Sequence, residues 1–73
     1  MGQIKDEILL EEISKRIKYL RKEKNITQAD VYNDTNIHLA RIEQGKLNLT
    51  VSTLKAICDY LNISLYDFFK GIT

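Results

Sequence analysis

Residues 27–45 read TQADVYNDTNIHLARIEQG, and this pattern predicts two short helices joined by a tight turn. Thr27 is followed three residues later by Asp30, which resembles a capping box with aspartate in place of the usual glutamate. In that arrangement each side chain bonds the backbone N–H of the other residue, and the pair marks where a helix begins. We therefore expect the first of the two helices to run over about residues 28–34.

The turn and the second short helix follow directly. Asn36 lies in the predicted turn, because asparagine tolerates the left-handed backbone conformation. A very short helix then covers about residues 38–44, with Leu39 and Ile42 facing inward. Gly45 comes where the C-terminus of a helix needs a positive φ, so we expect the second helix to end there.

A longer amphipathic helix is predicted before this pair, over about residues 5–24. Its acidic start and basic end suit the helix dipole. We expect residues 1–12 to form an N-terminal extension of this helix and residues 13–73 to form a single domain. Apolar residues three or four positions apart lie on one side of a helix, and here they are Leu9, Ile13, Ile17 and Leu20, flanked by Ile4, Ile8 and Tyr19.

Two further helices are predicted after a loop at residues 46–49. Thr50 is the expected N-cap of the first, and Ser64, with Asp67 three residues later, is the expected N-cap of the second. The chain has no proline and three glycines, so it predicts an all-α fold of five helices. The apolar residues of the last two helices are Val51, Leu54, Ile57, Cys58 and Leu61, followed by Leu65, Tyr66, Phe68 and Phe69.

Length and composition exclude several classes of function. Seventy-three residues support one compact core. A single cysteine, Cys58, and a single histidine, His38, leave no disulfide framework and no zinc cluster. No apolar run reaches the length of about 20 residues that a membrane span needs, and the chain does not open on a signal-peptide pattern. We therefore expect a cytoplasmic protein without enzymatic activity, metal or cofactor.

The stretch from Ile13 to Phe69 resembles the Cro/C1-type helix-turn-helix family, the five-helix DNA-binding domain of many phage and bacterial repressors. The matching segments are residues 13–28, 35–37, 41–46 and 50–69. The resemblance implies a compact, lambda-repressor-like domain that binds double-stranded DNA. It also implies a transcriptional repressor that acts as a homodimer on a palindromic operator. Between Ile37 and Glu43 the chain is about three residues shorter than the family pattern, at the start of the helix that reads bases.

The resemblance also implies roles for individual residues. Gln28 would bond a phosphate at a helix N-terminus and brace the recognition helix. Arg41 would contact a base edge, with a phosphate contact or a solvated charge as the alternative. Arg21 and Glu43 would form a largely buried, structural ion pair. The residues placed at the DNA are Thr27, Gln28, Asn36, His38, Arg41, Lys46 and Asn48.

A second class of function stays open, that of a protein-interaction module such as an antitoxin-like regulator with weak or secondary DNA binding. The net charge is only +1, and residues 1–12 carry −3 whereas residues 13–25 carry +5. The near-neutral total and the acidic start favour this alternative. Other cations are expected to form a solvated face of the first helix: Lys15, Arg16, Lys18, Lys22 and Lys24. The candidate dimer surfaces are Tyr66, Phe68 and Phe69, or residues 4–10.

Overall fold

The computed structural model describes residues 4–72, and residues 1–3 and 73 lie outside it. Within that range the chain forms five α-helices and no strand, which confirms the all-α fold class. Residues 7–12 continue α1 without a break. The third helix is shorter than predicted: it ends at Ile42, with Glu43 as its C-cap, and residues 43–45 form a turn. The helices are α1 Glu7–Glu23, α2 Gln28–Thr35, α3 Leu39–Ile42, α4 Val51–Tyr60 and α5 Leu65–Lys70.

Side-chain caps fix where four of the helices begin. The Asp30 N–H donates to Thr27 Oγ1 at 3.0 Å, and the Thr27 N–H donates to Asp30 Oδ2 at 2.9 Å. These two bonds confirm the predicted capping box of α2. Thr50 and Ser64 cap α4 and α5 as predicted. A fourth cap, Asp6 on α1, was not predicted from the sequence.

Left-handed residues shape the connections on either side of α3. Asn36 ends α2 at φ +66°, which confirms the predicted turn. Gly45 has φ +76°, and a Cβ built there would lie 3.1 Å from Ser14 Oγ and 3.4 Å from the Glu11 Cα. Gly45 therefore meets two requirements at once, a positive φ and a close approach to α1.

One hydrophobic core joins all five helices. Phe68 is fully buried in it, so the aromatic at this position is a core residue and not part of a dimer surface. Cys58 is also buried, and that burial raises the pKa of its thiol. The buried apolar residues are Leu10, Ile13, Ile17, Leu20, Val31, Leu39, Ile42, Leu54, Ile57, Cys58, Leu61 and Phe68.

Some apolar positions predicted to line or flank the helix stripes are exposed instead. In the first turn of α1 the residue that packs into the core is Leu10, whereas Leu9 is 40% exposed. Leu10 lies seven residues before Ile17, almost two full turns, and so shares its side of the helix, while Leu9 falls at the edge of the stripe. The other exposed apolar residues with a predicted flanking or stripe role are Ile4, Ile8, Tyr19 and Val51.

Polar contacts link distant helices around this core. Arg16 of α1 donates to two carbonyl oxygens near the end of α5, from Nε to Phe68 at 3.2 Å and from Nη2 to Asp67 at 3.3 Å. Tyr60 of α4 donates to Asp34 Oδ2 of α2 at 2.6 Å. That hydrogen bond, with burial and nearby carboxylates, raises the pKa of Tyr60 to about 12. Over the described residues, no helix is long and apolar enough to cross a bilayer.

Candidate nucleic-acid interface

A buried ion pair fixes the end of α3 against α1. Arg21 Nε donates to Glu43 Oε2 at 2.8 Å, and Arg21 Nη2 donates to Glu43 Oε1 at 2.9 Å. The third guanidinium nitrogen, Nη1, donates to the Ile26 carbonyl at 3.0 Å. The side chains of Arg21 and Glu43 are only 10% and 5% exposed. This two-bond geometry restrains distance and orientation together.

Gln28 adds α2 to the same network. Its Nε2 donates to Glu43 Oε1 at 3.0 Å, so the first residue of α2 is tied to the residue that follows α3. Burial alone would raise the pKa of Glu43, but the hydrogen bonds from Arg21 and Gln28, together with the charges of Arg21 and Lys18, lower it overall. Glu43 therefore stays ionised and holds α1, α2 and α3 in one arrangement.

Three of the residues that the resemblance places at the DNA lie in α3 or directly before it, and all three are exposed. Leu39 and Ile42 are buried at 1% and 5% exposure, whereas Arg41, between them, is exposed. His38, the N-cap residue of α3, is exposed as well. Asn36 is exposed in the turn that precedes it. The four-residue helix α3 therefore has a buried side, formed by Leu39 and Ile42, and a short exposed side that carries Arg41.

Thr27 and the loop after α3 are also accessible. Thr27 is exposed, but its hydroxyl already accepts the cap bond of α2. Lys46 is exposed, and it lines a hollow together with Glu7 and Glu11 of α1. Asn48 Nδ2 donates to the Ile4 carbonyl at 3.1 Å, which ties the N-terminal extension to this loop. The extension therefore lies beside the loop and brings negative charge close to Lys46.

Two residues near α3 were not predicted as part of the site. The Tyr32 ring of α2 packs on the His38 ring with centroids 4.4 Å apart, although Tyr32 is 42% exposed. The positive charge of Lys18 in α1 also helps to lower the pKa of Glu43. Spacing offers a signal for Lys18, which precedes Arg21 by three residues and so lies near it on the helix. No local pattern identifies the Tyr32–His38 contact.

Comparison with known proteins gives one match. The sequence profile of the Cro/C1-type HTH DNA-binding domain matches residues 16–73, which is most of the chain. Searches of curated proteins and of solved structures found no significant match. The matched segment contains the buried network, the turn and all of α2 to α5. The chain therefore belongs to the Cro/C1-type helix-turn-helix DNA-binding domain family.

Proposed function

We propose that the protein is a cytoplasmic transcriptional repressor that binds a specific palindromic operator as a homodimer. The observation that carries this proposal is the Glu43 network. It fixes α3 against α1 and α2 while Arg41 stays exposed between two buried residues. A rigid helix with an outward arginine suits the major groove, where arginine makes its most specific base contact, to guanine O6 and N7.

The proposed contacts divide into positioning and reading. Lys46 contacts phosphate, and so does Gln28, whose amide retains a second N–H beyond the one bonded to Glu43. Arg41 reads a base, with His38 beside it. The remaining contacts are polar groups near the turn, the α2 N-terminus and the loop: Thr27, Asn36 and Asn48. Repression follows by steric exclusion when the bound protein covers a promoter.

Dimerisation is part of the proposal. Two copies related by a twofold axis would place their α3 helices in successive major grooves, about 34 Å apart. Exposed apolar side chains are present for such a contact, because Ile4 is 93% exposed and Val51 and Tyr66 are each 74% exposed. Ile4, Leu9, Val51 and Phe69 line one apolar cleft between the extension, α4 and α5.

The alternative proposal is a protein-interaction module with secondary DNA binding, as in an antitoxin-like regulator. The same apolar cleft favours it, since exposed apolar patches mark protein contacts. The carboxylates of Glu7 and Glu11 next to Lys46 also weaken the attraction of that loop for phosphate. The two proposals differ in one observable, because a strong preference for one DNA sequence is expected of the repressor and only weak or secondary DNA binding is expected of the interaction module.

Selection from random duplex DNA tests the proposed function. The protein is mixed with a duplex library, and bound DNA is recovered and sequenced over several rounds. We expect an enriched palindrome whose half-site centres lie about 10 base pairs, one helical turn, apart. Arg21→Met, which breaks the network behind α3, serves as a control that should enrich far less. Recovery of unenriched DNA by the intact protein would contradict the proposal and favour the protein-interaction alternative.

A further inference from the structure

The contact between Tyr32 and His38 joins α2 to the start of α3 through two aromatic rings. The ring planes are tilted by 39° with centroids 4.4 Å apart, close to the range of favourable aromatic pairs. Both residues stay exposed to solvent. The His38 side chain makes no cap hydrogen bond to α3. The Tyr32 ring is thus the neighbour that packs on the His38 ring at the start of α3.

This contact bears on base reading because α3 is so short. The helix comprises Leu39–Ile42, and its buried residues leave Ala40 and Arg41 as the exposed ones. Ala40 has no polar side-chain atom. Beside Arg41, the polar group nearest the start of α3 is the His38 imidazole, which has one N–H donor and one acceptor when neutral. A ring held in one orientation loses less rotamer freedom when it binds than a free ring does.

We propose that Tyr32 is a specificity-determining positioning residue, whose ring holds His38 so that an imidazole N–H can donate to purine N7 in the major groove. This inference rests on the proposed function and deepens it by assigning a reader and its support. Purine N7 is an acceptor in the major groove, so a correctly oriented donor there contributes to base recognition. Tyr32 itself need not touch the DNA.

The test compares the affinity for the selected duplex with that for a random duplex of equal length, measured by fluorescence anisotropy. Tyr32→Leu removes the ring and keeps an apolar side chain, and it should lower the ratio of the two affinities about three- to tenfold. Tyr32→Phe keeps the ring and removes only the hydroxyl, so it should leave the ratio within about twofold of the wild type. His38→Ala should relax preference at the same base pair as Tyr32→Leu, and the double variant should lose no more than His38→Ala alone.

A second readout follows the His38 ring directly. In proton NMR of the free protein, the ring current of Tyr32 should shift the His38 ring protons, and this shift should survive in Tyr32→Phe and vanish in Tyr32→Leu. Circular dichroism checks that each variant keeps its helices. The inference is overturned if Tyr32→Leu leaves the ratio unchanged or weakens binding to both duplexes equally. If the wild type does not prefer the selected duplex, the proposed function fails, and the inference fails with it.

Discussion

Glu43 is the residue on which the arrangement of the first three helices depends. It accepts two hydrogen bonds from Arg21 of α1 and one from Gln28 of α2. A buried ion pair contributes little more to stability than well-packed apolar residues would, but removing one partner leaves the other charge buried without compensation. The network is therefore better understood as a device that fixes the position of α3 than as a large source of stability.

Replacing Arg21 with Met should destabilise the fold strongly, because Glu43 would keep its buried charge without its main partner. The expected decrease in the free energy of unfolding is about 3–5 kcal/mol. Lys15→Met is the matched control, since Lys15 pairs with Glu11 and Glu12 at the surface and is 66% exposed. That substitution should change stability by less than about 1 kcal/mol. Urea unfolding of both variants provides the comparison, and equal decreases would show that the Arg21 pair is no more important than a surface pair.

Acid should weaken the fold through the same carboxylate. The pKa of Glu43 lies below its ordinary value of 4.5 in the folded protein, because Arg21 and Gln28 outweigh the effect of burial. A carboxyl group whose pKa is lower in the folded than in the unfolded protein stabilises the fold at pH values above its unfolded-state pKa. This stabilisation is lost as the pH falls through the folded-state pKa. The free energy of unfolding should therefore fall as pH drops from about 5 through 4.5 and below. Glu43→Gln should remove this part of the pH dependence, whereas Glu11→Gln, at an exposed site, should retain it.

At the scale of single elements, α3 and the loop after it divide the proposed DNA contacts into two kinds. Arg41→Ala should weaken the free energy of binding to the operator by about 1–3 kcal/mol and relax the preference at one base pair in each half-site.

Lys46→Ala should weaken binding to all sequences about equally. It should also reduce the slope of the logarithm of affinity against the logarithm of salt concentration by about 0.9 for each phosphate that Lys46 neutralises. Anisotropy with operator and random duplexes measures both. If Arg41→Ala lowers both affinities by the same factor, Arg41 binds a phosphate, and specificity lies with His38, Asn36 or DNA shape.

The elements themselves were largely predictable from local chemistry. Helix caps and left-handed turn residues depend only on neighbours a few positions away in the sequence. This made it possible to predict the caps at Thr27, Thr50 and Ser64 and the left-handed Asn36. Spacing relative to Ile13 alone does not distinguish Leu9 from Leu10, because they lie four and three positions before it, whereas the two-turn spacing from Leu10 to Ile17 does favour Leu10. The predicted length of α3 was also too great, since the helix ends at Ile42 and not near Gln44.

The candidate site was less predictable than the fold. The polar residues of the turn and of α3 could be named from the family pattern, and the structure shows Arg41 and His38 exposed. The Tyr32 ring contacts the His38 ring, which belongs to a different part of the chain. The spacing of apolar residues within 28–35 does not tell whether an aromatic side chain packs on the start of α3 or enters the core. The bond between Asn48 and Ile4 likewise spans most of the chain.

At the scale of the whole molecule, the apolar cleft between the extension, α4 and α5 lies, in the proposed dimer, at the contact between the two copies. Val51 is 74% exposed and lines that cleft, so a carboxylate there should disturb a self-contact. Val51→Asp should raise the dimer dissociation constant about 10- to 100-fold, as expected when one valine can no longer be buried. Ser52→Asp adds the same charge at the next exposed position and should have a much smaller effect. Sedimentation equilibrium measures both, and a wild-type protein that is monomeric both free and on DNA would contradict the dimer.

The protein as proposed requires sequence-specific, electrostatically driven DNA binding. The most direct test is the equilibrium affinity of the wild-type protein for its selected duplex and for a random duplex, measured over a series of salt concentrations. We predict an affinity for the selected duplex at least about 10³-fold higher, with the logarithm of each constant falling linearly as the logarithm of salt concentration rises. Equal affinities for the two duplexes at every salt concentration, or binding that does not respond to salt, would contradict the proposed function.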